Sequence, residues 1–125
     1  MSTNAELARI FSEMATVLEL IGANRFRVNA HARVARVLGD LTVDVAAMAD
    51  DLKALTEIDG IGDASAKKII EYVNTGKVKE HQQLLKEIPA GLFDVLKIPG
   101  LGPKTVKLLW EQAEVTSIAT LKKAI

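Results

Sequence analysis

Apolar residues recur along this chain at spacings of three and four, and no stretch alternates with period two for long enough to suggest a sheet. Leu7, Ile10, Phe11, Met14, Val17, Leu18 and Ile21 form one stripe of a first helix. Thr3-Asn4-Ala5-Glu6 ahead of it has the form of a capping box, and Gly22 stands where a helix commonly closes. Phe26, Ala30, Val34, Val37 and Leu38 predict the inward face of a second helix over residues 26–38, stopped by Gly39. Residues 41–55 read as short helical pieces split around Asp50-Asp51. A helix over residues 64–73 is closed by Asn74-Thr75-Gly76, another over 81–88 is broken by Pro89, and a third covers 90–96. Pro103, suited to a first helical turn, opens a helix to about residue 113. A last helix begins near Ser117, and its pattern is still helical at Ile125. The chain reads as all-α, and a sequence that stops without a helix breaker is expected to be a piece of something longer.

One pentapeptide occurs twice. Ile58-Asp59-Gly60-Ile61-Gly62 returns 40 residues later as Ile98-Pro99-Gly100-Leu101-Gly102, each copy between two helical patterns. Glycine lacks a Cβ, so such a turn takes positive φ and lets its backbone approach another surface closely. At a helix start it leaves amide N–H groups unpaired, with the positive end of the helix dipole behind them. Those are the requirements for holding a phosphate. A single Gly-x-Gly is as often just a tight corner; the repetition, with an apolar residue before and between both glycine pairs, favours the phosphate. There is no third glycine at dinucleotide-fold spacing and no Gly-Lys-Ser/Thr ending, so no nucleotide cofactor is expected.

At 125 residues the chain makes one domain, or two small subdomains sharing a core. With 49% apolar residues and a mean hydropathy of +0.17 there is ample material to bury. Phe11, Phe26, Tyr72, Phe93 and Trp110 are the only aromatics, so the packing is aliphatic and few rings are available to stack on bases. Cysteine is absent, which removes disulfides and thiolate metal sites. No apolar run approaches the length of a membrane span and no secretory signal opens the chain, so a soluble, cytoplasmic protein is expected.

Net charge is zero, but the charges are sorted into blocks. Residues 20–39 carry four arginines and no acid, and residues 40–63 carry seven acids against Lys53. Residues 64–79 hold four lysines against Glu71, and residues 97–125 hold five against Glu111 and Glu114. The blocks predict one basic face and weak, salt-sensitive binding of a polyanion. Arg25, Asn29, Arg33 and Arg36 share one side of the second helix, with Arg27 and His31 one turn apart on a neighbouring strip. Guanidinium groups fork onto phosphate oxygens, and Arg27 with His31 suits a terminal phosphate. Lys67 and Lys68 adjoin; an amine beside another cation has a lowered pKa and is freed as a nucleophile toward an aldehyde. His31 and His81 are the only histidines and neither has carboxylates at ligand spacing. Backbone carbonyls around a Gly-x-Gly turn offer a different kind of ion site, suited to a monovalent cation.

Taken in order, Ile10 through Ala15, Asn24 through Ala30, Ile58 through Gly62, Asn74 through Lys77, Ile88 through Leu92 and Ile98 through Lys104 resemble the N-terminal part of the family X DNA polymerases. The bacterial and archaeal members are most similar, DNA polymerase beta more distantly. The resemblance implies tandem helix-hairpin-helix subdomains: a lyase-type helical domain over residues 1–80, and the start of the fingers, or DNA-binding, subdomain over 81–125. Gly60, Ile61, Gly62, Gly100, Leu101, Gly102 and Lys104 would then lie on the DNA backbone. Lys68 falls where the lyase domain has its Schiff-base lysine, and Arg27 where a lysine contacts the 5′-phosphate. His31 replaces a tyrosine of that pocket and Phe26 a histidine, whereas Ala64 and Glu80 replace two further lysines. The carbonyls of Thr56, Ile58, Ile61, Leu96, Ile98 and Leu101 match positions that hold a sodium or potassium ion at the hairpins. The metal-binding aspartates of the family's palm have no counterpart here, so no polymerisation by this chain is implied. The resemblance implies a monomer that binds gapped or nicked duplex DNA without reading sequence, in company with the missing polymerase domains if the chain is a fragment. Two alternatives stand beside it: an abasic-site lyase acting through Lys68, and a protein-interaction module.

Overall fold

The computed structural model describes residues 2–124, and every regular element among them is helical. Helix α1 spans Thr3–Leu20. Its N-cap is Ser2, whose hydroxyl accepts the Ala5 amide at 3.1 Å, one residue ahead of the expected box. Thr3 is already helical, and Glu6 pairs forward with Arg9 at 3.2 Å instead of reaching back. Gly22 does close the helix, at φ 76°. Ile21 is exposed while Ala15 and Leu20 are buried, so the buried surface is broader than a single stripe. The reason is tertiary: α1 packs against helices from both halves of the chain.

Helix α2 runs Arg25–Asp40, capped by the Asn24 side chain, which accepts the Phe26 amide at 2.7 Å. Its buried face is Val28, His31, Val34 and Leu38. Phe26, expected inside, is 86% exposed, and Ala30 also faces out. Counting His31 as polar hides the true stripe; the ring is buried because both of its nitrogens find partners, and it lies 6.0 Å from the Phe11 ring, centroid to centroid. Gly39 does not stop the helix, which continues through Asp40.

A 3-10 turn at Val45–Met48 follows, tied to α1 by Asn4, which donates to the Val43 carbonyl at 2.7 Å and accepts from the Val45 amide at 3.0 Å. Short α3, Leu52–Thr56, is capped by Asp51. Next come α4 (Asp63–Thr75), closed by Gly76 at φ 80°, and α5 (Lys79–Leu85), which ends three residues before the expected Ile88. Then follow α6 (Gly91–Leu96), α7 (Pro103–Ala113) and α8 (Ile118–Ala124). The helical pattern noted at Ile125 lies outside the described residues.

Helix α1 is the hub, touching α2, α4, α5, α7 and the 3-10 turn. One apolar cluster runs from Leu7 and Phe11 through Leu55, Ile61 and Ile69 to Leu92, Val95, Val106 and Val115. Residue 80, where the sequence divides its two regions, falls inside α5, and the core is continuous across it. Helix α6 packs against α7 and α8. Gly91 permits the second of these contacts: a Cβ there would press on the Thr116 carbonyl oxygen and lie 2.8 Å from Ser117 Cβ. Among the described residues no helix is long and apolar enough to cross a membrane.

Candidate nucleic-acid interface

The two glycine turns have the same internal construction. Ile58 donates to the Leu55 carbonyl and Ile98 to that of Val95, both at 3.1 Å. Ile61 then donates back to Ile58 at 3.0 Å, and Leu101 to Ile98 at 3.1 Å. Gly60 and Gly100 take φ of 96° and 88°, a region costly for any residue with a Cβ. Gly62 and Gly102 are extended and serve as N-caps of α4 and α7, and no side chain caps either helix. The first-turn amides are therefore left to an external acceptor. Ile61 is 3% exposed and Leu101 half-buried, so each side chain anchors its turn in the core and only its backbone can meet a ligand.

The turns differ in their surroundings. A Cβ on Gly60 would lie 2.8 Å from Val37 Cγ2 and 3.3 Å from Arg33 Nε, so the first turn is backed by α2. Asp59 and Asp63 flank it, both well exposed, and a carboxylate in the first turn of α4 competes with an incoming phosphate for the same dipole. At the second turn a Cβ on Gly100 or Gly102 would meet nothing within 4 Å, prolines replace both aspartates, and exposed Lys104 follows. Both turns share a geometry; the second has the better electrostatics for an anion.

A second constellation lies between α2, α4 and α5. Arg27 Nη2 reaches Glu80 Oε1 at 3.4 Å, His31 Nε2 reaches the same oxygen at 3.0 Å, and Lys68 Nζ reaches Oε2 at 3.0 Å. His31 Nδ1 faces the Arg27 carbonyl at 2.8 Å, so each ring nitrogen has an oxygen partner. The Glu80 carboxyl is held down at about 2, chiefly by the His31 hydrogen bond, with Lys68 adding its hydrogen bond and charge, while partial burial opposes them. Arg27, His31 and Lys68 are thus brought together. Their meeting point is Glu80, which the sequence offered only as a missing lysine; its signal was an acid next to Lys77, Lys79 and His81. Lys67 points elsewhere, 4.0 Å from Asp63, so the charged group nearest Lys68 is a carboxylate and not the neighbouring ammonium.

The single basic face does not form from the arginine block. Arg25 meets Glu19 at 3.6 Å, Arg33 meets Asp59 of the acid block at 3.5 Å, and Arg27 is held by Glu80, so three of the four arginines have carboxylate partners. Arg25, Asn29 and Arg36 line an open groove of about 630 Å³ between α1 and α2, while Arg33 turns away toward the first hairpin. His81, unassigned in the sequence, bonds Glu13 at 2.8 Å and joins α5 to α1. Among the described residues no group of three or more histidine, cysteine or carboxylate side chains gathers to hold a metal.

Two short helices joined by a glycine turn that holds the second helix's amides free, built twice on one core, define a helix-hairpin-helix protein. Residues 2–78 match the family described as a helix-hairpin-helix domain, and residues 93–125 match a SAM-like helix-hairpin-helix tandem. The chain belongs to the helix-hairpin-helix family. It is also 34% identical over 119 residues to the DNA polymerase/3'-5' exonuclease PolX of Bacillus subtilis (strain 168), a match that covers 95% of this chain and 20% of that protein. The similarity is to the N-terminal region of a family X polymerase, and the chain spans about a fifth of that relative's length.

Proposed function

We propose that this chain grips the sugar–phosphate backbone of DNA through the free amides of its two hairpins, without reading bases. The observation that carries the reading is the twice-built turn, with Gly100 and Gly102 open to close approach and Lys104 beside them. Amides and lysines that meet phosphates fix register and carry no sequence information. The substrate that suits two hairpins on one chain is duplex DNA interrupted by a gap or nick, with the first hairpin on the downstream 5′ side and the second on the primer-side duplex. The protein acts there as a monomer, beside the polymerase domains of a longer chain. Carbonyls of Thr56, Ile58, Ile61, Leu96, Ile98 and Leu101 are hard oxygen donors of the kind that suits sodium or potassium. Ile58 and Ile98 each already accept one amide, which leaves a lone pair for the ion. Such an ion would add positive charge at the turn where a phosphate is to sit.

A rival reading makes Lys68 the nucleophile of a 5′-deoxyribose-phosphate lyase, and its support is the convergence of Lys68 with Arg27 and His31. The Glu80 carboxylate on Nζ weighs against it. The backbone reading is tested by titrating labelled gapped duplexes of several sequences at two salt concentrations. Gly100→Val and Gly102→Val should each weaken binding, by roughly tenfold for loss of amide contacts to a charged acceptor, equally across sequences. Sequence preference, salt-independent affinity, or unchanged binding in both variants would refute it; the last two results would favour a protein-interaction module.

A further inference from the structure

Glu80 stands where Arg27, His31 and Lys68 converge, and it arrives from a different helix than any of them. Arg27 and His31 belong to α2, Lys68 to α4 and Glu80 to α5. The cluster is therefore assembled by α2 and α4, which both pack on α1, and the anion is supplied separately from α5. His31 and Lys68 are well buried, with 8% and 18% of their side chains exposed, while Glu80 at 27% and Arg27 at 50% form the mouth. One carboxylate faces two cations, Arg27 and Lys68, as well as the His31 ring, so the cluster is under-neutralised. If Glu80 simply swung out, those cations would be left facing one another, which is costly in a partly buried site. Exchange for another anion avoids that cost, and a group with three oxygens and close to two charges matches three donors better than a carboxylate does.

We propose that Glu80 is a built-in counter-anion of the Arg27–His31–Lys68 cluster, and that a phosphate monoester enters by displacing its carboxylate. The inference rests on the DNA-binding reading only for the source of that monoester, the 5′-phosphate at a gap. The exchange makes occupancy of the site a competition between an internal and an external anion. It favours a terminal phosphate over an internal diester, because only the monoester brings more charge than the carboxylate removes. Glu80 thereby lowers the affinity of the site for a phosphorylated DNA end.

Gapped duplexes that differ only in the 5′-phosphate, titrated against wild type and Glu80→Gln, separate the possibilities. Glu80→Gln should tighten the phosphorylated duplex by roughly fivefold, the value of one partly exposed ion pair, and change the unphosphorylated one little. Arg27→Ala in the Glu80→Gln background should abolish that gain. A ratio between the two DNAs that is the same or smaller in Glu80→Gln overturns the inference and makes Glu80 a permanent structural counter-ion. A second arm needs neither DNA nor a variant: inorganic phosphate titrated into wild type should move the Glu80 carboxyl and His31 ring resonances together. Phosphate that leaves both unmoved also overturns the inference. Failure of wild type to bind any duplex would sink the DNA-binding reading alone, since the phosphate titration stands apart from it.

Discussion

Adding one methyl group should act in opposite directions at two glycines of this fold. At Gly91, the first residue of α6, a Cβ would press on the Thr116 carbonyl oxygen and lie 2.8 Å from Ser117 Cβ and 3.0 Å from Ser117 Cα. Two of these three atoms are backbone, so no rotamer change relieves the contact, and α6 must back away from the turn that leads into α8. Overpacking of this kind costs about 1–3 kcal/mol, and the upper half of that range applies where backbone must move. Gly39 lies within α2 with nothing within 4 Å of its Cβ direction. Alanine there removes the entropic penalty of glycine in a helix, a gain of about 0.5 kcal/mol so close to the helix end. Urea unfolding followed by circular dichroism should give midpoints on either side of wild type, with equal slopes showing that the change is in stability and not in compactness. Gly91→Ala at or above wild-type stability, or both variants moving the same way, would refute the packing argument.

Two further outcomes follow from the Glu80 cluster. The folded carboxyl titrates at about 2 against an ordinary value of 4.5, so the unfolded chain takes up its proton first as pH falls. The Glu80 contribution is therefore complete above about 4.5 and is lost between there and 2; wild type should lose more stability than Glu80→Gln from pH 5 to pH 3, and parallel losses would count against the pairing. Borohydride trapping on abasic-site DNA should yield at most a weak adduct, because Glu80 holds the Lys68 amine at 3.0 Å. Any adduct should vanish in Lys68→Ala and survive in Lys67→Ala, and one that persists in Lys68→Ala would mean another amine is the nucleophile.

The hairpins were legible in the sequence because glycine and helix-period residues are local signals. Two glycines bracketing one aliphatic residue that turns toward the core, repeated at fixed spacing, leave few alternative backbones. The phase of α2 was not legible, because Phe26 outweighs His31 on any apolar scale, and only the partners supplied by Glu80 and the Arg27 carbonyl make the histidine the buried one. Glu80 itself was visible as an acid in basic company, but its placement depends on how α5 docks, which no local pattern encodes. The same holds for Gly91, whose need for a bare Cα is created by a segment 25 residues away. The pairs Arg27–Glu80 and Arg33–Asp59, which take two arginines out of the basic face, are likewise products of long-range folding.

The hub position of α1 bears on how the chain is made. Helix α1 emerges from the ribosome before any of its neighbours, yet it is covered partly by α5 and α7, the latter beginning only at Pro103. Until then one flank of its apolar surface, including residues as large as Phe11 and Met14 in the same helix, lacks its final cover. Contacts between segments so far apart close slowly, and exposed apolar surface in the meantime invites association with other nascent chains.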